Sequence, residues 1–264
     1  MARLRLAYGK RHSQHGDLWL PDQPAPAGGW PVVVLLHGGF WRAVYGLGLM
    51  RDLAEDLTKR GWAAWNLEYR RVGTVPPGGW PGTFEDVGGG IDYLRELAAA
   101  HALDLGRTVV VGHSAGGHLA LWSAGRWKMP PHAPGASRKE GPLKLRGAVG
   151  LAPVCNLAEA WRQGLGGGAV GRLLGGGPDR YPERYAATDP AALLPLNVPQ
   201  VLVHGAVDAA VPLSLSQGYV ERAAAAGDPV TLIELADVAH MELIDPSSEA
   251  WAATVVHLER LLAV

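Results

Sequence analysis

The chain has 264 residues, enough for one large α/β domain or two small ones, and its 48% of hydrophobic residues can form a sizeable core. A formal net charge of −1 gives no electrostatic reason to expect binding to nucleic acid or to an anionic membrane. The single cysteine, Cys155, excludes an internal disulfide and a cysteine-rich metal site. No segment resembles a signal peptide or a spanning helix, so we expect a cytoplasmic protein.

Apolar runs rich in β-branched residues alternate with helix-like runs along the chain. The predicted strands lie at 32–36, 62–67, 108–111, 148–151, 201–204 and 230–235. The predicted helices lie at 49–60, 84–100, 115–126, 215–226 and 248–262. Apolar strands separated by helices are typical of a mostly parallel sheet covered by helices on both faces. The pattern predicts a single α/β domain over 1–264, with its site at the carboxyl ends of the strands.

The segment 156–196 lies between two predicted strands and is longer than one crossover helix requires. It contains two glycine triplets, at 166–168 and 175–177. An insertion of this kind in an α/β sheet is a candidate cap or lid over a pocket. An ordinary crossover with glycine-rich turns is the alternative.

Residues 112–116 read Gly-His-Ser-Ala-Gly, directly after a predicted strand and directly before a predicted helix. Strand, sharp turn and helix are the context of a nucleophile elbow, in which a serine is exposed at the edge of the sheet. Gly112 and Gly116 fit this interpretation because side chains there would collide with the neighbouring strand and helix. A serine alone is a poor nucleophile, so Ser114 needs a base and an orienting acid elsewhere in the chain.

Two further residues supply the missing partners. Asp208 follows the predicted strand 201–204, and His240 follows the predicted strand 230–235. Either residue alone would be an ordinary loop residue. The order Ser, Asp, His, with each residue just beyond a strand end, predicts a Ser-His-Asp triad of Ser114, Asp208 and His240. Asp237 is the alternative carboxylate.

This chain order resembles that of the α/β-hydrolases, over nearly the whole length of the chain. The run His37-Gly38-Gly39-Phe40-Trp41 at the end of the first predicted strand resembles the H-G-G-G oxyanion motif of carboxylesterases. With its aromatic-Trp ending it is similar to kynurenine formamidases (arylformamidases), which usually carry Tyr where Phe40 stands. The residues after Ser114 and the run 66–70 (Asn-Leu-Glu-Tyr-Arg) also resemble that group.

The resemblance implies a serine hydrolase of small carboxylic esters or aryl formamides that forms an acyl-enzyme. The oxyanion would be bound by the backbone N–H groups of Gly39, Phe40 and Ala115. Aromatic side chains often line pockets for such substrates, and the candidates here are Trp41, His113 and Trp161. No cofactor is required, no metal-ligand spacing appears, and the oligomeric state stays open.

Two alternatives remain. The first is a small peptidase of the same fold, although the chain shows neither a propeller nor a charged anchor for a peptide terminus. The second is a non-catalytic protein that binds a small molecule on a hydrolase scaffold. Such proteins often lose a member of the triad, whereas all three candidate residues are in place here.

Overall fold

A computed structural model describes residues 1–136 and 140–263, and within them the chain forms an eight-stranded sheet. The strands are β1 Ala2–Ala7, β2 His15–Leu20, β3 Trp30–Leu36, β4 Ala63–Leu67, β5 Leu103–His113, β6 Gly147–Leu151, β7 Gln200–Gly205 and β8 Val230–Leu235. The helices are α1 Arg51–Lys59, α2 Gly82–Asp92, α3 Leu94–His101, α4 Ala115–Ala124, α5 Leu157–Arg162, α6 Leu165–Leu174, α7 Pro182–Thr188, α8 Pro190–Leu193, α9 Leu213–Ala225 and α10 Glu249–Leu262.

The strand order is β1-β2-β4-β3-β5-β6-β7-β8. The six strands β4, β3, β5, β6, β7 and β8 run parallel to one another, and all six correspond to predicted strands. The two antiparallel strands β1 and β2 were not predicted. Strand β1 is mostly exposed and carries Arg3 and Arg5, which bind the buried carboxylate of Asp17 on β2. Strand β1 is held by its backbone hydrogen bonds to β2 and by these ion pairs, so it lacks the run of apolar residues by which the parallel strands were predicted.

Alternate side chains of the parallel strands point to opposite faces of the sheet. On one face, Val33 and Leu35 pack in a cluster with residues of α1 and α10, including Leu53 and Trp251. The other face, which includes Val34, packs against α2, α3, α4, α9 and the helices of 156–196. Both faces are therefore covered by helices, as predicted.

Helices α5 to α8 occupy the segment 156–196, and their inner side chains belong to the main core. Leu157, Val170 and Leu174 are buried there. The single helix predicted over 84–100 is instead the pair α2 and α3. Across the described residues, every helix is too short or too polar to cross a bilayer.

Candidate active site

Ser114 lies in the turn between β5 and α4, with the strained dihedral angles φ +56° and ψ −117°. Its N–H donates to the carbonyl of Leu151 on β6 (2.8 Å), and its carbonyl accepts from the N–H of His118 (3.1 Å). A Cβ atom at Gly112 would overlap the backbone of Gly116, and one at Gly116 would overlap the backbone of Leu36. Glycine is thus required on both sides of the serine, because the strand and helix meet without space for a side chain.

His240 and Asp208 form a hydrogen-bonded pair beyond the ends of β8 and β7. His240 Nδ1 donates to Asp208 Oδ2 over 2.6 Å. Asp208 Oδ1 accepts from the N–H groups of Ala210 (2.8 Å) and Val211 (2.9 Å), which fixes the carboxylate in place. The alternative acid, Asp237, is exposed, and its carboxylate makes no hydrogen bond to His240. The geometry therefore favours Asp208 as the partner of this imidazole.

The electrostatics keep Asp208 ionised. Burial alone would raise the pKa of Asp208, but the neighbouring imidazoles of His204 and His240 and the N–H of Val211 hold the pKa well below its usual range. An ionised carboxylate on Nδ1 fixes the tautomer of His240, so that Nε2 carries the free lone pair. The imidazole is thereby prepared to accept a proton at Nε2.

Ser114 and His240 line the same cavity, whose volume is about 540 Å³. The cavity lies at the carboxyl ends of the parallel strands, where an open α/β sheet places its ligands. Its remaining walls are formed by Gly39, Phe40, Tyr45, Leu49, His113, Val207, Ala209, Ala210, Ala239, Met241 and Glu242. A volume of this size is suited to a small organic ligand.

The loop after β3, residues 37–44, carries the predicted oxyanion donors and is named the oxyanion loop after them. Gly39, Phe40 and Trp41 all have positive φ, at +104°, +48° and +56°. Such a left-handed run is unusual for residues other than glycine, and it turns the chain sharply beside Ser114. Within residues 1–136 and 140–263, the N–H groups of Gly39 and Phe40 donate to no protein acceptor, and Ala115 begins α4 with a free N–H.

A network of buried polar side chains holds this loop in place. His37 Nε2 donates to Glu68 Oε1 over 3.0 Å, and the two rings of His37 and Tyr69 are stacked with centroids 4.4 Å apart. The Tyr69 hydroxyl donates to the His37 carbonyl (2.7 Å), and Glu68 also accepts from the N–H groups of Leu47 and Tyr69. Burial opposes the charge of Glu68, yet the bond from His37 and the nearby Arg71 lower the pKa of this carboxyl. The network thus joins the oxyanion loop to the end of β4.

His113, one of the candidate pocket residues, lines the cavity and is buried next to His240. His113 Nε2 donates to the carbonyl of His240 over 3.0 Å, and the two imidazole centroids lie 4.4 Å apart. Burial lowers the pKa of His113 to about 3, so the ring is neutral at ordinary pH. The ring of His113 therefore contacts both the imidazole and the backbone carbonyl of His240.

The prediction that Trp41 walls the pocket is wrong. The left-handed turn directs its side chain inward, where it is fully buried and packs edge-on against His118, with centroids 5.2 Å apart. Trp161 also lies outside the cavity. The face of α5 that carries Leu157 and Ala160 points into the core, so Trp161 lies on the outer side and is 37% exposed.

Several wall residues were not found in the sequence. Tyr45 and Leu49 follow the oxyanion loop, whereas Val207 and Met241 lie beside the predicted acid and base. For Val207 and Met241, the sequence offered one indication that they line the cavity, namely that each is adjacent to a candidate catalytic residue, Asp208 or His240. Of the three candidate pocket residues, His113 lines the cavity, and Phe40 lines it from the loop after β3.

The segment 156–196 covers the outer side of the oxyanion loop. Arg42 donates to the carbonyl of Gly166, and a Cβ atom at Gly166 would lie 2.7 Å from the Phe40 ring. Arg172 donates to the carbonyl of Gly167 over 2.7 Å. The glycine triplet at 166–168 therefore forms a turn that packs on Phe40. Within residues 1–136 and 140–263, no three His, Cys, Asp or Glu side chains are grouped so that they could hold a metal ion.

The sheet, the serine elbow and the Ser, Asp, His order define the α/β-hydrolase fold. Esterase 2 of Thermogutta terrifontis, solved in a form phosphonylated by sarin, aligns with a TM-score of 0.78 at 21% identity over 99% of this chain and 96% of that one. A bifunctional GH43-CE protein of Bacteroides eggerthii aligns with a TM-score of 0.83 at 19% identity over 99% of this chain and 35% of that one. At these identities the similarity concerns the fold.

The family is given by the sequence. The model of the BD-FAE family matches residues 17–222, more than half of the chain, and the protein belongs to this family. It is 27% identical to esterase LipC of Mycobacterium tuberculosis over 92% of this chain, and 24% identical to the probable carboxylic ester hydrolase LipM of the same organism over 98%. The chain spans 60% of the length of each of these two relatives.

Proposed function

We propose that the protein is a serine hydrolase of small carboxylic esters, with Ser114 as nucleophile, His240 as base and Asp208 as the orienting acid. The observation that carries the proposal is the 2.6 Å bond between His240 and Asp208 at the cavity that also contains Ser114. The similarity to LipC and LipM, both named as ester hydrolases, supports the same class of substrate.

In the proposed reaction, Ser114 Oγ attacks the ester carbonyl while His240 Nε2 takes its proton. Asp208 stabilises the imidazolium, and the tetrahedral oxyanion accepts hydrogen bonds from the N–H groups of Gly39, Phe40 and Ala115. His240 then gives the proton to the leaving alcohol, which produces an acyl-enzyme. A water molecule, deprotonated by the same imidazole, attacks the acyl carbon and releases the acid, which restores Ser114.

An aryl formamide is the second candidate substrate. The run His37 to Trp41, with its aromatic-Trp ending, favours it, and the chemistry of the nucleophile would be the same. Comparison of kcat/KM on p-nitrophenyl butyrate and on N-formylkynurenine separates the two. We expect the ester to be the better substrate, and a higher value on the formamide would reassign the protein to formamide hydrolysis.

The experiment that tests the residues uses three variants with p-nitrophenyl butyrate. Ser114→Ala should reduce hydrolysis to the background rate. Asp208→Asn should fold normally and lower kcat by about 10⁴-fold, as loss of the correct tautomer does in a related triad. The matched control Asp237→Asn removes an exposed carboxylate three residues from the base and should change kcat less than twofold.

A fluorophosphonate probe gives an independent readout. It should label Ser114 with a 1:1 stoichiometry, and labelling of another residue would refute the assigned nucleophile. If the wild type hydrolyses short peptides but no ester, the peptidase alternative is correct. If the wild type is inert on all these substrates and is not labelled, the chain is a non-catalytic binding protein.

A further inference from the structure

The cavity walls are almost entirely apolar outside the candidate catalytic groups. Phe40, Tyr45, Leu49, Val207 and Met241 contribute large hydrophobic side chains, and three alanines fill the spaces between them. Among the described residues that line the cavity there is no lysine or arginine. Glu242 is the one wall residue outside the candidate catalytic groups that carries a formal charge.

Glu242 lies two residues after the base and begins a short 3-10 turn, Glu242–Ile244. Its Oε2 accepts from the N–H of Ala239 over 3.3 Å, a bond that holds the side chain against the loop that carries His240. Within residues 1–136 and 140–263, this carboxylate has no ion-pair partner. Glu242 is exposed as well as a wall residue, so its charge lies at the solvent-exposed side of the cavity and is not neutralised by an ion pair among the described residues.

The groups around Glu242 do not compensate for this charge. The buried side chain of Asp208 contributes a second negative charge behind the candidate base. His113, which also lines the cavity, is neutral at ordinary pH. Arg42 keeps its charge 5.9 Å from the centroid of the Phe40 ring, but it does not line the cavity and its guanidinium is bound to the carbonyl of Gly166 in the segment 156–196. The imidazolium that forms on His240 during the reaction is matched by Asp208.

We propose that Glu242 is a specificity-determining residue that selects substrates by charge: the site accepts esters that are neutral or cationic at their far end and disfavours esters that carry a carboxylate. This inference rests on the proposed ester hydrolase function. A carboxylate on the substrate would meet the charge of Glu242 and find no cation on the apolar walls to replace its hydration. A trimethylammonium group would meet the opposite charge and two aromatic rings, Phe40 and Tyr45.

The experiment uses three p-nitrophenyl esters of similar size: the neutral 5,5-dimethylhexanoate, its isostere 4-(trimethylammonio)butyrate, and the adipate half-ester. For the wild type, kcat/KM on the adipate ester should be at least tenfold below that on the neutral ester. In Glu242→Gln, relative to the neutral ester, the adipate value should rise about three- to tenfold and the cationic value should fall by a similar factor. Glu242→Lys should enlarge both changes, and 0.5 M NaCl should reduce them because exposed charges are screened.

Glu221→Gln is the matched control, since it removes the same charge from an exposed position on α9 outside the cavity. It should leave the three ratios unchanged. The proposal is overturned if the anionic and neutral esters react equally in the wild type, or if both charged esters change in the same direction in Glu242→Gln. Failure of the proposed function is a separate result: none of the three esters would be hydrolysed, and Ser114→Ala would equal the wild type.

Discussion

Two loops flank Ser114, and they are held in place in different ways. The oxyanion loop, residues 37–44, follows a central strand and is fixed by the buried side chains of His37, Glu68 and Tyr69. The base loop, residues 236–242, follows the edge strand β8, and Val238 is its one buried residue. Its fixed points are the contacts of His240 with Asp208 and His113.

The difference corresponds to the proposed roles of the two loops. Backbone donors stabilise an oxyanion only if they are already oriented when the charge develops, so a rigid, buried support is favourable. A base must instead turn between the nucleophile, the leaving group and water. The imidazole of His240, which is 15% exposed on an edge loop and is anchored at Nδ1 and through its backbone carbonyl, retains that freedom. Three substitutions test whether the two loops differ in this way.

The largest effect should come from Gly39→Ala in the oxyanion loop. The new Cβ atom would overlap the Tyr45 ring, and the required φ of +104° is strained for any other residue. Because the backbone must move where the donors lie, we expect kcat/KM to fall by about 10²–10³, the value of one oxyanion donor.

The control for this substitution is Gly48→Ala, in the 3-10 turn just beyond the same loop. A Cβ atom there has no heavy atom within 4 Å, and the φ of Gly48 is not positive. Activity of this variant should stay within twofold of the wild type. If Gly39→Ala is equally active, the assignment of the oxyanion loop is wrong.

The sequence contained more information about the base side of the site than about the oxyanion side. Asp208 and His240 could be proposed as acid and base because each is a polar residue soon after an apolar strand, and parallel strands end at one edge. The glycines around Ser114 were equally visible, since their steric role is local. The six parallel strands were predicted for the same reason, because each is a buried apolar run.

The contacts that hold the oxyanion loop in place could not be predicted from the sequence in this way. The bond between His37 and Glu68 joins residues 31 positions apart, so its presence depends on the alignment of β3 with β4. The side chain of Trp41 points inward because three consecutive residues have positive φ, which no pattern in the sequence predicts. Sequence patterns gave the candidate chemical groups, whereas the contacts that orient them follow from the packing of distant segments.

The second substitution, Glu68→Gln, tests the buried support. It removes a charged acceptor used by His37 and by two backbone N–H groups, and the side chain is only 7% exposed. We expect the free energy of unfolding at pH 7 to fall by about 2 kcal/mol, as for a buried hydrogen bond to a charged group. Urea denaturation of both proteins gives this difference.

The pH dependence of that difference has a definite sign. The pKa of Glu68 is lowered in the folded protein, so its ionisation contributes stability above the unfolded value of 4.5 and loses it as the pH falls. The difference in free energy of unfolding between wild type and Glu68→Gln should therefore become smaller as the pH decreases from 5 to below 4.

In the control, Glu85→Gln, the carboxylate paired with Arg70 is 47% exposed, so its loss should lower the free energy of unfolding by less than about 1 kcal/mol. An equal loss in both variants would contradict a special role for the buried network.

The smallest effect should come from His113→Leu, which removes the tether of the base loop. Without the N–H donor to the His240 carbonyl and without the packed ring, the base samples unproductive orientations, so we expect kcat to fall about tenfold with little change in KM.

His118→Leu is a close control. His118 is equally buried, donates Nε2 to the carbonyl of Thr188 over 2.9 Å, and has a pKa lowered to about 4 by burial. It should lose about as much stability as His113→Leu yet keep kcat within twofold, because Thr188 lies at the end of α7 rather than in the base loop. Equal kcat values for the two variants would mean that His113 is a packing residue and that the edge loop needs no such anchor.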